Sequence, residues 1–161
     1  MHMHTRRHAL SASAKLALLL LGAGILPAAA QAQASGFTSG FNQAAFDAKS
    51  LADAMKALGA NAPVPSADVT VSAPDIAENG AVVPVGASSA LPGVKRLLVL
   101  VEKNPSALSA IFEVNEMVDA NFSTRVKMGQ SSDVYAVAMM NDGRVLYAKK
   151  EVKVTLGGCG G

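Results

Sequence analysis

From residue 66 onward the hydrophobic positions recur every second residue, and turn-forming residues interrupt them every eight to twelve. Asp68-Val69-Thr70-Val71-Ser72 alternates until Pro74 ends it. Residues 81–86 form a second candidate strand, entered through Asn79-Gly80. Residues 94–102 form a third, whose run Leu97-Leu98-Val99-Leu100-Val101 has no polar face and predicts a strand buried on both sides. Asn104-Pro105 breaks it, and residues 108–114, 122–128 and 133–140 follow. Asn141-Asp142-Gly143 predicts a hairpin into residues 144–148. A last strand over 150–156 turns Val152, Val154 and Leu156 inward and Glu151, Lys153 and Thr155 outward. Seven or eight short strands with no helices between them predict a mainly β fold, an immunoglobulin-like antiparallel β-sandwich. Without a disulfide or a buried Trp, the reading extends to the architecture alone.

Ahead of the strands the period changes. Asn42 has the side chain to cap a helix running to Leu58, with Gly59 as its stop. Phe46, Leu51, Met55 and Leu58, with Ala48 between them, share one face, while Asp47, Lys49, Asp53 and Lys56 lie mostly elsewhere. Such an amphipathic helix covers the body of its own domain or a subunit interface.

Residues 1–34 have the layout of a cleavable export signal. Arg6, Arg7 and Lys15 are followed by an apolar run over 16–26, then by Pro27 and Ala-x-Ala sites ending at Ala30, Ala32 or Ala34. The run is about half of the ~20 residues that span a bilayer, so no membrane anchor is expected in the mature chain. Thr5-Arg6-Arg7-His8-Ala9-Leu10 resembles a twin-arginine signal, and the expected compartment is the periplasm. Residues 35–156 then hold the helix and the sandwich, with 35–41 as a loose lead-in, and residues 157–161 a separate arm.

Removing the signal changes the charge. It carries all three histidines (His2, His4 and His8) and three of the fourteen basic residues, so the formal charge falls from +2 to −1. A near-neutral chain with no Trp and no basic cluster gives no electrostatic case for nucleic acid or for an anionic membrane surface. The loss of histidine excludes Ser-His-Asp and Cys-His nucleophile pairs and Cys/His zinc sites in the mature chain.

What remains is one thiol. Gly157-Gly158-Cys159-Gly160-Gly161 places the single cysteine of the chain between glycines, which give the segment no local reason to hold a fixed shape. Only three steps along the chain lead from Leu156 to Cys159, so the stretched backbone reaches about 10 Å. Nothing nearby in sequence would lower the thiol pKa, the nearest basic residue being Lys153. A self-sufficient enzyme needs such an activator, whereas a carrier borrows one in each partner's site. The pattern therefore points to a covalent carrier rather than an enzyme: Cys159 as the attachment point, Gly157, Gly158, Gly160 and Gly161 as the flexible arm, and no resident cofactor or metal. The alternative is a β-sandwich interaction module whose tail cysteine makes a covalent dimer.

Val152-Lys153-Val154-Thr155-Leu156-Gly157-Gly158-Cys159-Gly160-Gly161 resembles the C-terminus of the SoxY family, the sulfur-carrier subunits of the bacterial Sox thiosulfate-oxidising system. The resemblance extends to residues 49–54, to Pro74-Asp75-Ile76-Ala77-Glu78-Asn79-Gly80, to Val101-Glu102-Lys103-Asn104-Pro105 and to residues 123–132. It implies a heterodimer with SoxZ, a second β-sandwich protein. It also implies transient contacts with a SoxAX-type haem protein, which joins thiosulfate to the thiol, and with a SoxB-type metal-dependent hydrolase, which releases sulfate and leaves a persulfide. A sulfane dehydrogenase is a further candidate partner.

Other side chains invite chemistry less strongly. Asp75 and Glu78 are spaced for acid–base work, but beside Asn79-Gly80 they read as a solvated turn. Met128, Met139 and Met140 with Cys159 could form a soft metal site, yet methionines within strands are normally core filler. Arg125 with Lys127, and Lys149 with Glu151 and Lys153, read as solvated strand faces, with a partner-facing surface as the weaker reading.

Overall fold

Leu97, Leu98, Val99, Leu100 and Val101 are all at least 99% buried, and the layering of the fold explains why. The computed structural model describes residues 42–156. Their strand β5 (Val94–Val101) lies inside the larger of two sheets, with the smaller sheet over one face and two short helices over the other. Side chains alternate across a strand. Leu97, Val99 and Val101 therefore enter the core between the sheets, and Leu98 and Leu100 enter the core under the helices.

The larger sheet has the order β1-β9-β8-β5-β6, built from β1 (Val64–Pro65), β9 (Val145–Val154), β8 (Ser132–Met140), β5 and β6 (Leu108–Glu113). A further two-residue strand, β3 (Ile76–Ala77), also pairs with β9. The smaller sheet is β2-β4-β7, from β2 (Val69–Ser72), β4 (Val83–Ser89) and β7 (Asn121–Val126). Val83, Val85 and Ala87 of β4 meet Val134, Ala136 and Ala138 of β8 in the inter-sheet core, which also holds Val152. This is the expected β-sandwich preceded by helix. The β8–β9 hairpin turns at Asn141-Asp142-Gly143, where Gly143 adopts φ 87° and Met139 pairs with Val145.

Several boundaries differ from the sequence expectation. The helix anticipated over 43–58 is two helices, α1 (Gln43–Phe46) and α2 (Leu51–Ala57). Asn42 caps the first as expected, accepting from the Ala45 N–H at 3.0 Å. The chain then breaks because Ser50 caps the second, its hydroxyl accepting from the Asp53 N–H at 3.1 Å, while Ala48 gives its carbonyl to Ala107 of the body at 2.9 Å. Gly59 ends α2 at φ 65°. The helices bury Ala45, Ala54 and Met55 against β5, β6, β8 and β9, so their partner surface is their own domain.

The second strand begins at Val83 rather than 81 and runs on to Ser89, because the Asn79 side chain holds the Ala81 N–H at 2.8 Å in a turn. The strands expected over 144–148 and 150–156 are one continuous β9, whose register with β8 holds from Val145 to Val152. The charged pair Lys149-Lys150 does not break it. Lys149 projects outward, and Lys150 reaches the sheet edge, donating to the Ala73 carbonyl at 2.6 Å. Leu156, expected inward, is 62% exposed, because β9 ends at Val154. Two pairings are parallel rather than antiparallel, those of β1 and β3 with β9. The expected export signal of residues 1–34, the expected lead-in of 35–41 and the expected arm of 157–161, with Cys159, lie outside the described residues.

Candidate functional site: the root of the cysteine arm

The described chain reaches Leu156, three residues short of Cys159, so the geometry bears on the root from which the arm departs. Residues 75–80 strap that root. β3 runs parallel to the end of β9, with Ile76 opposite Lys153 and Ala77 opposite Val154. The Lys153 N–H donates to the Asp75 carbonyl at 3.0 Å and the Thr155 N–H to the Ala77 carbonyl at 3.1 Å. The Thr155 hydroxyl donates to the Glu78 carbonyl at 3.0 Å. The Gly80 N–H then donates to the Leu156 carbonyl at 2.7 Å.

A second segment locks the strap. The Gly80 carbonyl accepts from the Met128 N–H at 2.7 Å, and the Ser131 hydroxyl accepts from the Val154 N–H at 2.9 Å. Behind it, Asn104 donates to the Lys127 carbonyl at 2.7 Å, and the Lys103 N–H donates to the Ser132 hydroxyl at 3.0 Å. Ser132 is 2% exposed, and its hydroxyl also donates to the Asp133 carbonyl. Among the described residues no buried side-chain nitrogen or oxygen lacks a partner. Residues 74–80, 101–105 and 123–132, three stretches distant in sequence, thus converge where the last strand hands over to the arm.

Charge at this end is arranged in exposed pairs. Lys150 reaches Asp75 at 3.0 Å and Lys149 reaches Asp133 at 2.6 Å. The hydrogen bond to Asp133, then the neighbouring Tyr135 and the Asp133 charge, hold the Lys149 ammonium above the usual lysine range. Burial, then the charge of Glu102, pushes the Tyr135 phenol up. Asp75 and Glu78 accordingly sit in the strap, where their backbone carbonyls pin β9 and the Asp75 carboxylate pairs with Lys150. The three methionines do not converge. Met128 and Met140 enter the inter-sheet core, while Met139 projects from the opposite face of β8 toward the helices. Arg125 and Lys127 are exposed at the end of β7, and Lys149, Glu151 and Lys153 line one outward face of β9. Among the described residues no group of three or more His, Cys, Asp or Glu is placed to hold a metal ion, and no helix is long and apolar enough to cross a membrane. The strap itself went unread in the sequence. Pro74 and Asn79-Gly80 signalled only turns, and a two-residue strand has no periodicity to detect.

Fold and root together define a β-sandwich protein whose chain is hydrogen-bonded to the body as far as Leu156, three positions before Cys159 in the sequence. The family model for the sulfur oxidation protein SoxY matches residues 54–159, and the chain belongs to that family. The sulfur carrier protein SoxY from Chlorobium limicola f thiosulfatophilum is 33% identical, covering 66% of this chain and 96% of its own, with a TM-score of 0.60. Superoxide reductase (Neelaredoxin) from Ignicoccus hospitalis overlaps 53% of this chain and 79% of its own at 18% identity and a TM-score of 0.47. The fibronectin(III)-like modules of Clostridium thermocellum CbhA overlap 53% and 93%, at 18% identity and a TM-score of 0.42. No curated protein matches the chain.

Proposed function

We propose that the protein is a substrate carrier of periplasmic thiosulfate oxidation, with sulfur intermediates bound covalently to Cys159 and processed by other proteins. The observation that carries this reading is the family match, which runs from the helix through the sandwich to Cys159 itself. The strapped root supports it, since a hydrogen-bonded last strand defines where the arm starts.

The chemistry requires little of this chain. Loading joins the Cys159 thiol to the outer sulfur of thiosulfate, forming an S–S bond and releasing one proton and two electrons to a haem-iron oxidant of the SoxAX type. The product is a cysteine S-thiosulfonate. Hydrolysis by a SoxB-type metallohydrolase then breaks the bond between sulfane sulfur and sulfonate. Water supplies the oxygen of the departing sulfate, and a persulfide stays on Cys159. A SoxZ-type β-sandwich partner completes the carrier, and a sulfane dehydrogenase oxidises the remaining sulfur. The chain itself supplies the thiol, the glycines that keep the entering strand thin, and a body for docking. Residues 1–34 direct export.

Non-reducing intact-mass analysis of protein from thiosulfate-grown cells tests the reading. Sulfur or sulfonate adducts located at Cys159 are expected, and the Cys159→Ser variant keeps its fold and partner complex but takes up no adduct. A disulfide dimer or a bare thiol in every preparation would instead favour the covalent-dimer module.

A further inference from the structure

Strand β5 carries one residue more than its register with β8 needs. Val94 pairs with Met140 and Arg96 with Met139, so Lys95 is the extra residue of a bulge. Packing shows the consequence. Val94 and Leu97 both enter the core between the sheets although they are three positions apart. Lys95 and Arg96 between them therefore leave together on the opposite face, the one that carries the helices. There they meet Arg144 of the β8–β9 hairpin around a pocket of about 270 Å³. Leu58, Met139 and Val145 also line it and belong to the core under the helices, which gives the pocket an apolar floor. Its walls are tied to one another. The Asn61 side chain donates to the Gly143 carbonyl at 2.8 Å, and the Asn141 N–H donates to the Gly93 carbonyl at 2.8 Å.

Three cations line this pocket and no carboxylate does. Glu113 holds Arg96 and Asp142 holds Arg144, each at the Nε and 2.7 Å away. A guanidinium has five N–H donors, so both arginines keep donors for a ligand. The Lys95 ammonium makes no hydrogen bond or ion pair among the described residues. The carbonyls at the end of α2, which would repel an anion, are already taken. Those of Met55, Lys56 and Ala57 accept from Ala60, Gly59 and Asn42. Volume limits the ligand, because drug-sized molecules occupy pockets of about 300–1,000 Å³. We propose that Lys95, Arg96 and Arg144 form a noncovalent site for a small tetrahedral oxyanion of the sulfate class. The pocket lies beside Val145 at the start of β9, whereas the arm root follows Val154 at its end. At about 3.3 Å per residue the two are about 30 Å apart, beyond the reach of the arm. An ion held here is separate from anything on Cys159 of the same chain, and the site does not depend on the carrier reading. Its occupancy ties the bulge, the hairpin turn and the segment after α2 together.

Sulfate stabilises folded proteins in general by exclusion from their surfaces, so a thermal shift does not report a site. The test is an amide NMR titration of the full chain with sodium sulfate, with sodium chloride holding the ionic strength constant. Saturable shifts are expected at Asn61, Lys95, Arg96 and Gly143. Sodium thiosulfate, of the same charge and similar shape, shifts the same amides, and the lower half-saturation names the preferred anion. In the variant Lys95→Gln, Arg144→Gln the half-saturation concentration rises at least about tenfold, because two charge-assisted contacts are lost. The control Arg125→Gln, Lys127→Gln removes the same charge at exposed positions at the end of β7 and keeps the wild-type value. Cys159→Ser keeps it as well, which separates this site from the thiol. Shifts that grow with sulfate without saturating, saturable shifts centred elsewhere, or a control variant that loses as much as the pocket variant would each overturn the site. None of these results touches the carrier reading, which the adduct masses decide.

Discussion

The Gly80 N–H donates to the Leu156 carbonyl at 2.7 Å, while the Gly80 carbonyl accepts from the Met128 N–H at the same distance. One peptide strap thereby ties the last turn of chain before the arm to the far side of the sandwich. The amides of Gly80, Met128 and Thr155 are all donors in this lattice, so each is expected to resist hydrogen exchange. Exchange at these amides as fast as in an unfolded peptide would mean that the root is not closed in solution.

Ser131→Ala removes the acceptor for the Val154 N–H, and Thr155→Val removes the donor to the Glu78 carbonyl. Each is expected to cost about 1 kcal/mol, the usual scale for losing one such bond, with the serine change the larger because Val154 is half-buried. Urea unfolding of the two variants measures this, and faster exchange confined to residues near 76–80 and 153–156 locates it.

Met55→Ala is expected to be far more costly. Met55 is 2% exposed in the core between the helices and the larger sheet, and truncating such a side chain leaves a cavity worth about 2–5 kcal/mol. Denaturant midpoints check the value. Retained β signal with lost helical signal at intermediate urea would show that the helical layer unfolds by itself.

Gly86 sits in β4 between both neighbours of its sheet. A Cβ there would meet the Phe122 carbonyl oxygen at 3.1 Å and the Ser72 Cβ at 3.3 Å. The nearest atom is backbone and has little room to yield, so Gly86→Val is expected to destabilise by about 1–3 kcal/mol, the usual range for overpacking. A thermal midpoint unchanged from wild type would contradict it.

The pH dependence has a definite sign at the alkaline end. The pKa values of Lys149 and Tyr135 are both raised by folding, one by its bond to Asp133 and the other chiefly by burial. A raised pKa means that the folded state holds its proton more tightly, so the contribution is complete below the unfolded pKa and is lost as pH climbs through the folded one. Unfolding midpoints are therefore expected to decline above about pH 10. Tyr135→Phe shows a smaller decline, since it removes the phenol's share and also the Tyr135 contribution to the Lys149 shift.

How far the chain could be read in advance follows from the range of the forces involved. Alternation along residues 68–72 and 133–140, the Asn141-Asp142-Gly143 turn, the Asn42 cap and the Gly59 stop are local, and each stands where its residues placed it. The apolar run of β5 also declared its burial on both faces. The break between α1 and α2 was less legible, because Ser50 competes with a continuous apolar face and the body's hold on Ala48 tips the balance.

Sequence alone determined the strand-rich sandwich, the lone Cys159 between its glycines, and the confinement of all three histidines to residues 1–8. These depend on residue type, periodicity and count, which need no third dimension. Tertiary structure alone decided that residues 74–80, 101–105 and 123–132 meet at one end, that a two-residue parallel strand straps β9, and that Leu156 faces out. Those outcomes rest on backbone hydrogen bonds between segments up to about eighty residues apart, and a backbone N–H or carbonyl leaves no mark in the sequence of what it will bind.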